Sequence, residues 1–255
     1  MLAVERRAQI EQTIIKNKSV LVLELAKQFD VTTETIRSDL EKLEKQGVLV
    51  RTYGGATLLE SSEPDMEIHR RDTVNFEGKH MIGRRAAEMI KEGETVFLDA
   101  STSSLHLARN IKDKKGITVI TNAEKIVTEL SECPDIKVIC VGGMLNKKNM
   151  SYTGRVVEEV IRKNYYANKV FFSCRGVTLV RGLMESSEAE AEIKKAMIEC
   201  SESAIFLCDR KKLGRLGVPV ISGLDKIDSI ITDIKLDEEW NQALAENDVR
   251  VITVE

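Results

Sequence analysis

Small hydroxyl, amide and charged residues recur in this chain directly behind short apolar runs. The run at 95–98 leads into Asp99-Ala100-Ser101-Thr102-Ser103-Ser104, that at 117–121 ends in Thr121-Asn122, and that at 136–141 meets Gly142-Gly143. The run at 169–173 leads into Cys174-Arg175-Gly176, and that at 204–209 ends in Asp209, with Lys211 and Lys212 following. If each run is a strand and the next segment opens a helix, Ser101, Thr102 and Ser103 present hydroxyls and backbone N–H groups at a positive helix end, a phosphate cradle. Arginine, lysine and amide groups suit a phosphate, and Asp99, Asp209 and Asn122 suit hydroxyls, so the set fits a phosphorylated polyol. Singly, a Ser/Thr-rich turn is more often a helix cap, and Gly142-Gly143 reads equally as a tight turn. Recurrence behind successive runs is what favours binding. A further segment, 187–201, reads as a helix with Glu190 four residues before Lys194, a spacing that gives a modest helix-stabilising pair. Lys194 is then either half of a solvated ion pair or a cation aimed at the same rim; the spacing leaves both open.

These residues converge only if a scaffold brings the run ends together. Further apolar runs at 229–233 and near the C-terminus continue the series, and helix-like segments begin near Ser103, Ala123, Gly154, Ser187 and Asp237. Such alternation predicts an α/β unit with a mainly parallel sheet covered on both faces. In an open sheet of that kind, ligands bind beyond the carboxyl ends of the strands, which is where the polar residues fall. No internal repeat or low-complexity tract interrupts the series.

The N-terminal part follows another pattern. Ile36, Leu40 and Leu43 recur on one face of a helix predicted over residues 33–46, with Thr32 as its N-cap and Gly47 as its C′ residue. Glu34, Ser38, Glu41 and Lys45 occupy the opposite face, flanked by Arg37 and Lys42. Two short extended runs about Gly54-Gly55 follow, a helix plus hairpin that reads as a winged helix. Upstream, Leu23, Leu25, Ala26 and Phe29 form a short helix placed as a helix-turn-helix requires, with residues 19–22 leading into it. A first helix over residues 3–16 turns Ile10 and Ile14 inward and carries Arg6 and Arg7 near its exposed start. Together these make a unit of about sixty residues, a size able to fold alone. Residues 59–77, broken by Pro64, read as a linker whose charges favour a solvated face, and a helix is expected from 78 to 91.

Composition narrows the classes. The length of 255 residues suits two domains, and 42% hydrophobic residues suffice for two cores. A net charge of −3 announces no general affinity for nucleic acid, so DNA contact must come from local cations such as Arg6, Arg7, Arg37, Lys42, Lys45 and Arg51. The five cysteines include no C-x-x-C pair and the three histidines are scattered, which argues for reduced core thiols and no metal site. No apolar stretch approaches a membrane span and the N-terminus lacks a secretory pattern; a cytoplasmic protein with no membrane partner is expected.

Taken in order, TTETIRSDLEKLEKQGVLVRTYGGA, VFLDASTS, ITVITNA, VGGML, YTGR, EAEIKKAMI, CDRKKLGR and IDSIITD resemble the DeoR family of bacterial transcription regulators across nearly the whole chain. The resemblance implies a winged helix-turn-helix that binds operator DNA, usually as a repressor of carbohydrate-utilisation genes. It also implies a C-terminal domain similar in fold to ribose-5-phosphate isomerase that senses a phosphorylated sugar or related metabolite, in a homodimer or tetramer. The domains then run 1–58 and 78–255, joined by 59–77. The recognition helix maps onto residues 32–46 and the wing onto 48–57, so DNA contacts are expected from Thr32, Thr33, Glu34, Thr35, Arg37, Ser38, Lys42, Arg51 and Tyr53. The effector set maps onto Asp99, Ser101, Thr102, Ser103, Thr121, Asn122, Gly142, Gly143, Arg175, Gly176, Glu190, Lys194, Asp209 and Lys212, with no cofactor or metal implied. Three positions depart from the family pattern: Ser38 stands for a second arginine, Ser101 for the loop glycine, and Asn168 for an aspartate ahead of Lys169. Cys174-Arg175 is also unusual before Gly176.

Two other functions fit parts of the pattern. A sugar-phosphate isomerase or deaminase with a DNA-binding appendage would need a general base, for which Asp99 or Asp209 could serve, but it leaves the winged helix without use. A winged helix used only for protein docking would show no salt-sensitive DNA binding. The expected mechanism is linkage: an effector that favours one arrangement of the domains or subunits changes the spacing of two recognition helices against the operator.

Overall fold

The computed structural model describes residues 3–17, 19–45, 49–58 and 68–254. Helix α1 (Ala3–Asn17), strand β1 (Ser19–Leu21), helices α2 (Val22–Phe29) and α3 (Thr33–Lys45), and strands β2 (Leu49–Thr52) and β3 (Gly55–Leu58) form the N-terminal unit. Ile36, Leu40 and Leu43 of α3 pack with Ile10, Ile14, Leu25 and Leu49 in one core, as the helical spacing requires. Asp30, in the left-handed conformation, ends α2, and Thr32 Oγ1 accepts the Thr35 N–H at 3.2 Å to start α3. The expected C′ residue Gly47, with Gln46 and Val48, lies outside the described residues.

The wing has three antiparallel strands in the order β1-β3-β2. Within residues 19–22, expected only to lead into α2, Ser19–Leu21 supply the extra strand, and Gly55 makes it possible: a Cβ there would run into the Val20 carbonyl. Two further expectations are corrected. Leu23 is exposed, and Val22 takes its inward place. Arg6 and Arg7 do not sit at an exposed helix start; both are buried, with Arg6 Nε 2.6 Å and Arg7 Nη1 3.4 Å from Asp39 of α3. A buried carboxylate on the inner side of α3 demands such partners, so neither guanidinium is available to DNA.

Residues 59–67 lie outside the described residues, but most of the rest of the expected linker is helical: α4 (Ile68–Thr73) and the start of α5 (Phe76–Glu88) are joined by a turn at Val74-Asn75. Of the linker charges, expected to be solvated, Arg71 and Asp72 are docked on the C-terminal unit. Asp72 accepts two hydrogen bonds from Arg109, at 3.3 and 3.0 Å, and Ile68 is buried.

The C-terminal unit continues with β4 (Thr95–Leu98), α6 (Thr102–Arg109), β5 (Ile117–Thr121), α7 (Glu124–Leu130), β6 (Ile136–Cys140), β7 (Met144–Asn146), β8 (Ser151–Thr153) and α8 (Arg155–Asn164). Then come β9 (Ala167–Phe172), β10 (Gly176–Thr178), β11 (Gly182–Met184), α9 (Glu188–Glu199), β12 (Ser201–Cys208), β13 (Val220–Ser222), β14 (Ser229–Thr232), α10 (Glu238–Glu246) and β15 (Arg250–Thr253). Seven strands form one parallel sheet in the order β15-β14-β12-β9-β4-β5-β6, with a buried cluster on each face. Strands with both faces covered can be apolar throughout, which is why runs such as Phe171-Phe172 read so clearly. The chain builds from β4 outward through β5 to β6, then returns to add β9 on the other side of β4. That reversal opens a crevice between β4 and β9 at their carboxyl ends.

Candidate functional site

The loops after β4 and β9 meet at this crevice. Asp99, buried at the end of β4, accepts hydrogen bonds on Oδ1 from Ser101 Oγ (2.6 Å) and Ser104 Oγ (2.5 Å) and on Oδ2 from the Ser173 N–H (3.3 Å). Ser101 Oγ in turn accepts the Ser104 N–H at 3.1 Å and so caps α6. The loop is a helix cap, and its Ser101 and Thr102 also border a cleft. Lys194 of α9 enters from the side. Its Nζ lies 3.2 Å from Asp99 Oδ2 and forms an ion pair with Glu185, all three groups being buried. Burial works against the Lys194 ammonium, but the charges of Glu185 and Asp99 outweigh it and hold its pKa above the ordinary lysine value. Glu185 moves the opposite way: burial pushes it up, and Lys194 more than reverses that.

Glu190 takes no part in this pair. It accepts hydrogen bonds from Asn149 Nδ2 at 3.0 Å and Ser151 Oγ at 2.5 Å, so Lys194 reaches the rim while Glu190 ties α9 to the β7–β8 segment.

Two adjoining clefts open here. The first is lined by Ser101, Thr102, Ser173, Glu190, Lys194 and Lys212, with Arg71, Asn149 and Glu185 among its other walls. The second is lined by Thr102, Arg175, Asp209 and Lys212, with Lys79, Lys211 and Arg215. Arg71, Thr102, Glu185 and Lys212 border both. Lys79 of α5 is almost fully buried, and its Nζ donates to the backbone carbonyls of Arg71 (2.5 Å) and Val74 (2.7 Å). Burial lowers its pKa to about 8 against the pull of Asp209. Cys174, beside the first cleft, is pushed up to about 12 by burial and stays a thiol. An anion with several hydroxyl groups matches these walls, in which cations alternate with hydroxyl, amide and carboxylate groups.

Other residues of the expected set stand behind the clefts. Thr121 Oγ1 donates to the Leu98 carbonyl at 2.7 Å and accepts the Ala123 N–H at 3.0 Å; Asn122 Nδ2 donates to the Tyr152 carbonyl at 3.1 Å. Ser103 is buried and its hydroxyl has no partner. Gly142 and Gly143 both adopt positive φ, and Gly143 lies against Val157, so this pair makes a turn on α8. Gly176 lies where a Cβ would meet the Arg215 backbone. Sequence reasoning missed Arg71, Lys79, Asn149 and Glu185. For Lys79 a signal existed, a lysine in the otherwise small and apolar series Gly78, Ile82, Gly83 and Ala86 on the buried face of α5.

On the N-terminal unit, Glu34, Arg37 and Ser38 project from the start of α3 into solvent, with Arg37 Nη1 3.2 Å from Glu34. Thr32 and Thr35 share a 2.9 Å hydroxyl contact beside Thr33. Arg51 on β2 donates to Glu44 at 2.6 Å, and Tyr53, at the wing tip, is fully exposed. Lys42 is exposed but faces a cleft shared with Trp240 and Glu239 of α10. The two units touch there: Arg7 Nη2 donates to Glu239 at 2.9 Å, and Leu216 packs on the N-terminal core. Among the described residues there is no His/Cys/Asp/Glu group able to hold a metal, and no helix is long and apolar enough to cross a membrane.

A parallel-sheet unit with a polar crevice, joined to a winged helix whose recognition helix is free at its start, matches two family models. Residues 6–62 match the DeoR-like helix-turn-helix domain and residues 74–234 the DeoR C terminal sensor domain. The chain belongs to the DeoR family. Its DeoR-family relatives include the HTH-type transcriptional regulator YulB of Bacillus subtilis, 38% identical over 100% of this chain and 98% of that one. A putative aga operon transcriptional repressor of Escherichia coli O157:H7 is 32% identical over 98% of this chain and 93% of its own length. Among solved structures, ribose 5-phosphate isomerase A from Neisseria gonorrhoeae overlays on 52% of each chain with a TM-score of 0.39 and 14% identity. As a DeoR-family protein the chain is a DNA-binding transcription regulator with a sensor domain, not an enzyme.

Proposed function

We propose that this regulator represses a carbohydrate-utilisation operon and that a phosphorylated sugar, bound in the two clefts at the β4/β9 crevice, controls its hold on operator DNA. The observation that carries this reading is the meeting of Arg71, Lys79, Lys194 and Lys212 with the hydroxyl and amide groups of Ser101, Thr102 and Asn149 at the crevice. A relative named as an operon repressor supports the sign. On this reading the protein works in the cytoplasm as a homo-oligomer whose paired α3 helices meet two operator half-sites, with Thr32, Thr33, Glu34, Thr35, Arg37, Ser38, Lys42, Arg51 and Tyr53 forming the DNA face.

The geometry also argues against Asp99 as a general base. A general base needs a free lone pair near the substrate, and both oxygens of Asp99 are taken by Ser101, Ser104, Ser173 and Lys194. Arg37→Ala should weaken operator binding and leave the thermal shift given by a sugar phosphate intact, whereas Lys212→Ala should do the reverse. Loss of both functions in both variants would refute this division of labour.

A further inference from the structure

Arg71 belongs to α4, the described part of the segment between the winged helix and the sensor domain, yet it borders both clefts. Its guanidinium is incompletely used. Nη2 donates to Asn149 Oδ1 at 2.9 Å, while Nε is buried without a hydrogen-bond partner. An arginine offers a planar fork of donors, and a buried N–H left without an acceptor is costly, so this fork is set for an anion. Two neighbouring charges at the crevice are already engaged: Lys194 meets Glu185 and Asp99, and Glu190 is held by Asn149 and Ser151.

The same helix is tied to the clefts twice more. The Lys79 ammonium, on the wall of the second cleft, holds the Arg71 and Val74 carbonyls at the C-terminal end of α4. The neighbouring Asp72 pairs with Arg109 of α6, the helix whose N-terminus opens at Ser101 and Thr102. On the other side, α4 begins at Ile68, ten positions after β3 ends at Leu58. We propose that Arg71 is an effector-binding residue supplied by the tether itself: it bonds the anionic group of the effector, and this contact sets the position of α4 and so of the winged helix. The inference rests on the sugar-phosphate reading above and adds to it the residue through which occupancy reaches the DNA-binding unit.

The test uses the full chain, a panel of sugar monophosphates and their unphosphorylated sugars, calorimetric titration for ligand affinity, and fluorescence anisotropy on its own upstream DNA. The wild type should bind one phosphate ester and change its DNA affinity. Arg71→Gln should lose 10-fold or more in affinity for that ester, with little change for the unphosphorylated sugar, and should no longer change its DNA affinity at saturation. Arg71→Lys should recover part of both. A purely structural role for Arg71 would instead weaken both ligands alike. Asp72→Asn, which loosens α4 without touching the clefts, should keep ligand affinity within threefold and blunt the DNA response. If the wild type responds and Arg71→Gln binds and responds as it does, this inference fails and the sugar-phosphate reading stands. If no phosphate ester binds the wild type, both fall. Should Arg71→Gln melt early without ligand, Arg71→Lys decides: an affinity equal to that of Arg71→Gln, with wild-type melting, overturns the proposal.

Discussion

Lys194 is an enclosed ammonium between the carboxylates of Glu185 and Asp99, and its removal would strand both charges away from water. Breaking a buried pair from one side costs about 3–5 kcal/mol, whereas a surface pair costs about 0–1. Lys194→Met should therefore lower the melting temperature of the sensor domain by several degrees as well as abolish ligand binding; a melt within a degree of wild type, followed by calorimetry, would show that the pair is not a structural strut. Its i, i+4 spacing from Glu190 was legible in the sequence, but its true partners were not. Glu185 lies in the turn before α9 and Asp99 at the end of β4, and only the folded sheet brings them to the same lysine. The same holds for Arg6 and Arg7, which look like surface cations until Asp39, more than thirty positions away, is seen to need them.

Elements were easier to read than partners. Every strand of the main sheet was marked by an apolar run, because burial on both faces leaves little room for polar residues. The short pieces were harder. Strand β1 has three residues with only Val20 buried, too few to show an alternation, and α4 hides in a charged stretch because its apolar contribution is Ile68 alone. The glycine pair at 54–55 was read as a turn, yet Gly55 has a second duty. Its missing side chain lets β3 pair closely with β1 at Val20, so Gly55→Ala should destabilise the wing by about 1–3 kcal/mol as an overpacking change. Operator affinity should fall while ligand binding by the sensor domain is unchanged; unchanged operator affinity would mean that the β1–β3 pairing does not hold the wing in its DNA-binding form.

At the scale of the whole molecule, the contact between the two units contains a titratable group. Glu11 of α1 is buried against Thr178 and near Arg181 and Glu239 of the sensor domain, with Arg7 on its own helix lining the same interdomain cleft, and burial raises its pKa from 4.5 to about 7. The folded state then holds a proton that the unfolded chain releases, so this contribution to stability is fully present below about pH 4.5 and is lost as pH rises through about 7. The shift corresponds to on the order of 3 kcal/mol. His106, buried beside Asp72 and lowered by burial to about 4, works with the opposite sign, because its cost appears as pH falls below about 6.5. The comparison must therefore be wild type against Glu11→Gln. The wild type should lose stability relative to the variant as pH rises from 4.5 to about 7, and parallel curves would show that Glu11 is ionised in both states.

On the proposed function, one ligand at the β4/β9 crevice decides whether α3 stays on DNA. The most direct measurement is the affinity of the full chain for its own upstream DNA, by anisotropy at several salt concentrations, with and without a saturating sugar phosphate. The expected result is sequence-specific binding that weakens steeply with salt and falls at least 10-fold when the ligand is added. Binding that ignores both sequence and ligand would contradict the proposed function.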